Sequence, residues 1–361
     1  MVLKYKQNLG ETLKYWDAFW EGQIIDRPLV CITSPRKGCE TAYKGHGITY
    51  KKIFEAKTRD DSFSLMKSFE DYLQNTAFLG EAIPFLMLDY GPDMFASFFG
   101  AELLCSDSVD TTWVKPIVTD WNRFDGVMEK GEGTTYNNYL NLLKYATEYS
   151  KDKFLISVPD IHSNMDTLSA LRGPQDLCYD IMDFPDEVEQ ALKRVRASYK
   201  PFYDDIYKVG EMDKHGCIGW IPTYSKERFA TVQCDYAGLI GPEHGLRYVI
   251  PSIRDEVSCL DHVSYHYDGK QALVHLDNIR DIEGIDVIQW VPGDGSPRSI
   301  EWMDLLKKIQ KAGKGLWIYD WTIDEIKANF KELDPQGLVF SVDAPSEDKA
   351  LELLEFLKKN T

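Results

Sequence analysis

The chain has 361 residues, 43% of them hydrophobic, which is long enough for one large α/β barrel or two smaller domains and apolar enough to bury a core. A formal charge of −17 argues against nucleic acid or anionic membrane as the main partner, because both require basic patches. No apolar run approaches membrane-spanning length, and the first residues, Met-Val-Leu-Lys-Tyr-Lys-Gln, lack the apolar segment of a secretory signal, so cytoplasm is the expected compartment.

Taken in order, residues 1–25 read as an N-terminal helical extension of a single domain over 1–361. Apolar runs of strand length follow at 29–33, 85–89, 154–159, 229–235, 263–268, 287–291, 315–320 and 337–343, with a further short run at 217–221. They are continuous rather than alternating, as expected of strands covered on both faces. Helical patterns lie between them. One spans 186–207 behind Pro185, with Val188, Leu192, Val195 and Tyr199 on one face. Another spans 299–312, with Ser299 as its N-cap and Gly313 beyond its end; a third spans 346–359 and carries Leu351, Leu354 and Leu357. Helices alternating with about eight buried strands predict a closed (β/α)8 TIM barrel. The seven cysteines (31, 39, 105, 178, 217, 234, 259) are scattered, with no Cys-x-x-Cys, so neither a disulfide framework nor a cysteine-cluster zinc site is expected.

In such a barrel the chemistry sits at the C-terminal ends of the strands. Arg36 follows the first run; Asp89, Tyr90 and Asp93 the second; Asp160, His162, Asn164 and Asp166 the third. Gln233 and Asp235 end the fourth, His266 and Asp268 the fifth, Gln289 and Trp290 the sixth, Asp320 and Trp321 the seventh, and Asp343 the eighth. His266 and Asp268 are two apart on one strand, so both side chains reach the same volume, as metal ligands or as an acid–base pair. The plainer alternatives are a hydrogen-bonded pair at a strand end for these two, a loop cap for Asp160, helix caps for Asp93 and Asp343, a polar plug for Gln233 and Asp235, and a roof over the barrel for Trp290 and Trp321. His46, His215, His244, His262 and His275 read as surface or capping residues.

The order of several short motifs resembles the uroporphyrinogen decarboxylase-like superfamily, which includes corrinoid-dependent methyltransferases. Asp26-Arg27-Pro28-Leu29-Val30 is similar to that family's approach to its first strand. Gly91-Pro92-Asp93 through Phe98-Phe99-Gly100-Ala101 resembles its second βα segment, and Pro159-Asp160-Ile161-His162 with Leu168-Ser169-Ala170-Leu171-Arg172-Gly173 its third. Gln233-Cys234-Asp235 with Gly241-Pro242-Glu243 resembles the fourth, and His266-Tyr267-Asp268-Gly269 stands where the family has His-x-Cys-Gly or its relatives. The true decarboxylase carries an Arg-rich motif near the first strand; here Ser34-Pro35-Arg36-Lys37-Gly38-Cys39 has one Arg, and an acidic mouth repels a polycarboxylate.

The resemblance therefore implies methyl transfer from a small O- or N-methylated substrate to a corrinoid carried by a separate protein, assisted by zinc. Its thiol-methylating members bind zinc through His-x-Cys and a later Cys; the corresponding positions here are His266, Asp268 and Asp343, with Asp235 as the other candidate for third ligand. Carboxylates make the ion harder and more Lewis acidic than thiolates do. Besides His266, the catalytic candidates are His162 and Asp89. Arg36, Asp160, Asn164, Gln233, Gln289, Trp290 and Trp321 are the substrate-binding candidates. Two rivals stand beside this reading: a metal-free decarboxylase or lyase acting on a small carboxylic acid, with Arg36 on the carboxylate and His266 as proton shuttle, and a non-catalytic partner of a corrinoid protein.

Overall fold

The computed structural model describes residues 2–41 and 47–361. Its strands among these residues are β1 (Leu29–Pro35), β2 (Thr76–Gly80), β3 (Phe85–Leu86), β4 (Leu103–Cys105), β5 (Thr112–Val114), β6 (Leu155–Ile156), β7 (Cys217–Ile218), β8 (Tyr224–Ser225), β9 (Phe229–Val232), β10 (His262–Asp268), β11 (Val287–Val291), β12 (Gly315–Ile318) and β13 (Leu338–Asp343). Seven of them form one sheet in the order β2-β1-β13-β12-β11-β10-β9. Every pairing in it is parallel except that of β2 with β1. The fold is thus mixed α/β around a mostly parallel central sheet. β3 pairs with β6 in a separate parallel ladder, and a main-chain bond of 2.8 Å from Val158 N to Ile218 O joins the end of β6 to β7.

The continuous apolar strands are buried on both faces, and the pleat sorts their side chains with period two. Val30, Ile32, Ile288, Leu316, Ile318, Leu338 and Phe340 join the large core under the helices. Leu29, Cys31, Leu155, Ile218, Val287, Trp317 and Val339 point the other way and meet in a second core. The helix Leu9–Trp20 closes that second core: Trp16 stacks on Trp317 with ring centroids 6.4 Å apart, and its indole N–H donates to Glu81 O at 3.1 Å.

Several strands end earlier than their apolar runs. The runs at 85–89, 154–159, 229–235 and 315–320 leave their ladders at Leu86, Ile156, Val232 and Ile318. Beyond those points the chain leaves the regular ladders, and its polar residues Asp89, Gln233, Asp235 and Asp320 meet partners at the rim. The helical pattern at 186–207 is two helices, Pro185–Arg196 and Tyr199–Val209. Pro201 has no N–H to give to the carbonyl four residues back, at Ala197, so a single helix cannot run through. Ser299 does not cap a helix. It opens a 3-10 turn, Ser299–Trp302, and donates its N–H to Asp320 Oδ2 at 2.8 Å and its hydroxyl to Asp320 Oδ1. Ser346 does act as the N-cap of Glu347–Asn360, accepting from Lys349 N at 3.3 Å. The antiparallel strand β2 and the hairpin β4–β5 had no sequence signal strong enough to be expected.

Candidate functional site

β10 ends in His266 and Asp268, and the turn after β9 begins with Asp235. Adjacent parallel strands bring these ends together, so that one potential ligand atom from each of Asp235, His266 and Asp268 lies within 4.8 Å of the others. His266 Nδ1 is 2.6 Å from Gln289 Oε1 on β11. Trp220 packs edge-on against the imidazole at a centroid distance of 5.0 Å. Burial lowers the His266 pKa, which keeps the ring neutral and leaves a nitrogen lone pair for a cation. Burial, with Asp166 nearby, raises the Asp235 pKa to about 7, although the side chain is open to solvent at the cleft. Among the described residues, Asp268 Oδ1 is buried without a hydrogen-bond partner, and so is the Trp220 indole N–H. Gly293, at φ +84°, comes so close to Gly269 that a Cβ there would sit 3.3 Å from its Cα. A neutral imidazole and two carboxylates, one of them with an oxygen lacking a partner, form a three-residue donor set that suits a divalent cation such as zinc, one fewer than its usual four ligands.

A second imidazole stands beside this group. His162 is buried between two carboxylates, with Nε2 2.7 Å from Asp160 Oδ2 and Nδ1 3.3 Å from Asp166 Oδ2. Burial by itself would lower the His162 pKa; Asp160 and Asp166 outweigh it and hold the ring well above its ordinary range, as an imidazolium. Asp166 also accepts from the N–H groups of Asp235 at 3.0 Å and Tyr236 at 2.7 Å, which locks the turn that carries Asp235. An open cleft of about 470 Å³ reaches His162, Asp166 and Asp235 from the surface, between apolar walls that include Trp113, Val114 and Leu239.

The loop that bears His162 is held from beneath. Asp89 is fully buried and accepts from Gly91 N and Asp160 N, each at 2.7 Å. Burial, then Asp160, raises its pKa to about 7. Asn164 caps the helix Met165–Arg172 and donates to Gln233 O at 2.7 Å and to Glu256 Oε1 at 3.1 Å. Asp89 and Asn164 therefore act as braces behind the site. Glu256, absent from the expected site residues, is fully buried with no cation among its hydrogen-bond partners in the described residues, and burial raises its pKa to about 8. Ile253, Glu256 and Val257 share the apolar stripe of Ile250–Val257, and an acid on such a stripe was the available signal.

Other expected site residues lie elsewhere or serve differently. Arg36 donates to Gln74 O at 3.1 Å and Thr76 O at 2.9 Å, which ties it to main chain beside β2. Asp343 is outside the Asp235–His266–Asp268 group and accepts from the Thr33 hydroxyl on the neighbouring strand. Trp321 is buried, gives its N–H to Ser299 Oγ at 3.0 Å and packs on Phe340, which is the roofing role. Trp290 is also buried, against Tyr267 and Trp302, with its N–H unpartnered among the described residues. Gln289 contacts His266 directly. Asp93 takes no capping bond and accepts from Val114 N at 3.0 Å. His275 is not at the surface: it is 1% exposed, and its Nε2 lies 3.0 Å from both Ala237 O and Ile240 O, pinning the turn after Asp235. His262 is half-buried on β10 and stacks on Trp20 at 4.1 Å. His46 lies outside the described residues.

No family model and no curated protein matches the chain. Among solved structures, a methyltransferase from Methanosarcina mazei superposes with a TM-score of 0.57 over 95% of this chain and 96% of that one, at 11% sequence identity. The likeness at that identity is one of fold.

Proposed function

We propose that the chain is a corrinoid-dependent methyltransferase that moves a methyl group from a small O- or N-methylated substrate to a corrinoid on a partner protein, with a zinc ion held by Asp235, His266 and Asp268. The observation that carries the reading is the convergence of those three ligand groups at the ends of neighbouring parallel strands. The methyltransferase of like fold supports the reaction class, and the resemblance of the His266-Tyr267-Asp268-Gly269 stretch to a metal-binding motif supports the place. We also read the sheet as rolled into a closed barrel. The inward residues of β1, β6, β7, β11, β12 and β13 share one core, and β3, β6 and β7 would fill the gap between the sheet's edge strands β2 and β9.

A bound zinc ion would supply Lewis acidity to the leaving heteroatom and withdraw charge from it as its bond to the methyl group breaks. The remaining work falls to side chains. Once the methyl group departs, that heteroatom needs a proton, and His162 holds one between Asp160 and Asp166. Asp166 also fixes the turn of Asp235, so the acid and the ligand share one brace. Trp220 shields the His266 ring from water. Metal-free acid–base chemistry is the second reading, and the dicarboxylate clasp on His162 favours it.

Metal analysis of the purified protein, with a spectroscopic assay of corrinoid methylation, decides between them. One equivalent of zinc, with loss of both metal and methyl transfer in His266→Ala, is the expected result. Full activity in a metal-stripped sample would overturn the metal's role.

A further inference from the structure

We infer that Gln289 is a positioning residue: by accepting the Nδ1 proton of His266 it leaves Nε2 as the nitrogen that faces the cation. The inference rests on the metal-binding reading above and assigns which atom binds and what holds it there. β10 and β11 run parallel with His266 in register opposite Gln289, so the two side chains leave the sheet on the same face. Gln289 is 7% exposed, and its Oε1 lies 2.6 Å from His266 Nδ1. A neutral imidazole has one N–H and one lone pair. An amide oxygen can only accept, so it draws the proton to Nδ1 and keeps the lone pair on Nε2. Without it, the ring reverts to the Nε2–H form usual in water. That proton would then hydrogen-bond to Asp235 or Asp268 and compete with a metal for the site. Trp220, edge-on at 5.0 Å, hinders the ring flip that would otherwise exchange the two nitrogens.

Two measurements on the full chain test this, with Gln289→Leu and Gln289→Glu as variants and melting curves to verify folding. The first is cobalt(II) affinity by chelator competition. Removing a partner of this kind weakens metal binding about 10- to 100-fold. Gln289→Leu should show that loss, and Gln289→Glu, which keeps an acceptor, should not. The second is the ¹⁵N side-chain spectrum of metal-free protein, with His266→Gln to assign the signal; Nδ1–H is expected in the wild type and Nε2–H in Gln289→Leu. Unchanged cobalt affinity in a folded Gln289→Leu protein, or an Nε2–H His266 in the wild type, would overturn the inference while leaving the metal site standing. A wild type that binds no cobalt would instead overturn the metal reading, and the tautomer would still be read from the spectrum.

Discussion

The side-chain amide of Gln233 stands 2.8 Å from His162 Nε2, and the same amide nitrogen lies 3.5 Å from Asp235 Oδ2. The Gln233 amide therefore lies between the candidate ligand group and the buried imidazolium, whose Nε2–H goes to Asp160 and not to this amide nitrogen. His162 is accordingly placed to act on whatever is held between Asp235, His266 and Asp268, without being a ligand itself.

Replacing His162 with Gln keeps a polar group of similar reach and removes the proton. Turnover should fall about 10²- to 10⁴-fold, the usual range for a general acid, while the metal content stays at the wild-type level. Steady-state rates and metal analysis on the same preparation check both halves. A variant that loses metal in proportion to activity would show that His162 only supports the ligand group.

Glu256 makes stability depend on pH. Its folded pKa of about 8 is above the ordinary carboxyl range, because burial disfavours the charge more than the bonds from Ser163 Oγ and Asn164 Nδ2 favour it. A raised folded pKa means that the contribution is fully present below the unfolded pKa and is lost as pH rises toward 8. Each unit of separation is worth about 1.4 kcal/mol, so the loss is a few kcal/mol at most. Glu256→Gln retains the accepting oxygen and has no charge to bury. Its melting temperature should exceed the wild type's at pH 8 and approach it at pH 5; equal melting curves at both pH values would refute the assignment.

Arg27 and Glu81 form a buried two-point pair, Nη1 to Oε2 at 2.8 Å and Nη2 to Oε1 at 2.9 Å, and Glu81 also accepts from Val30 N at 2.9 Å. Arg27→Leu strands the carboxylate and should cost about 3–5 kcal/mol in urea unfolding. The double variant Arg27→Leu/Glu81→Gln should recover part of that loss. If the single change costs under about 1 kcal/mol, water reaches the pair.

Trp16 plugs the second core from the helix Leu9–Trp20. Trp16→Ala opens a cavity against Trp317 and removes the bond to Glu81 O, for an expected loss of about 3–5 kcal/mol. The candidate ligand group Asp235, His266 and Asp268 is at the opposite strand ends, so any divalent-metal affinity of the folded variant should equal the wild type's. A variant as stable as the wild type would mean that the helix is not part of the core.

Much of this was legible before any tertiary structure. Continuous apolar runs marked the buried strands, and the polar residues at their ends marked the rim. The i, i+2 spacing alone put His266 and Asp268 on one side of β10. The errors were at boundaries and partners: Pro201 splits a helix that periodicity had drawn as one, and Ser299 is drawn to Asp320 instead of a helix N-terminus.

Local chemistry determines what a strand or helix is and which way consecutive side chains point, and that much is written along the chain. Whether Asp235 or Asp343 joins His266, which glutamine touches its ring, and that His162 lies between two carboxylates depend on the register of strands far apart in sequence. Only packing fixes that register, since shifting a strand by one residue would send each of these groups to the other face.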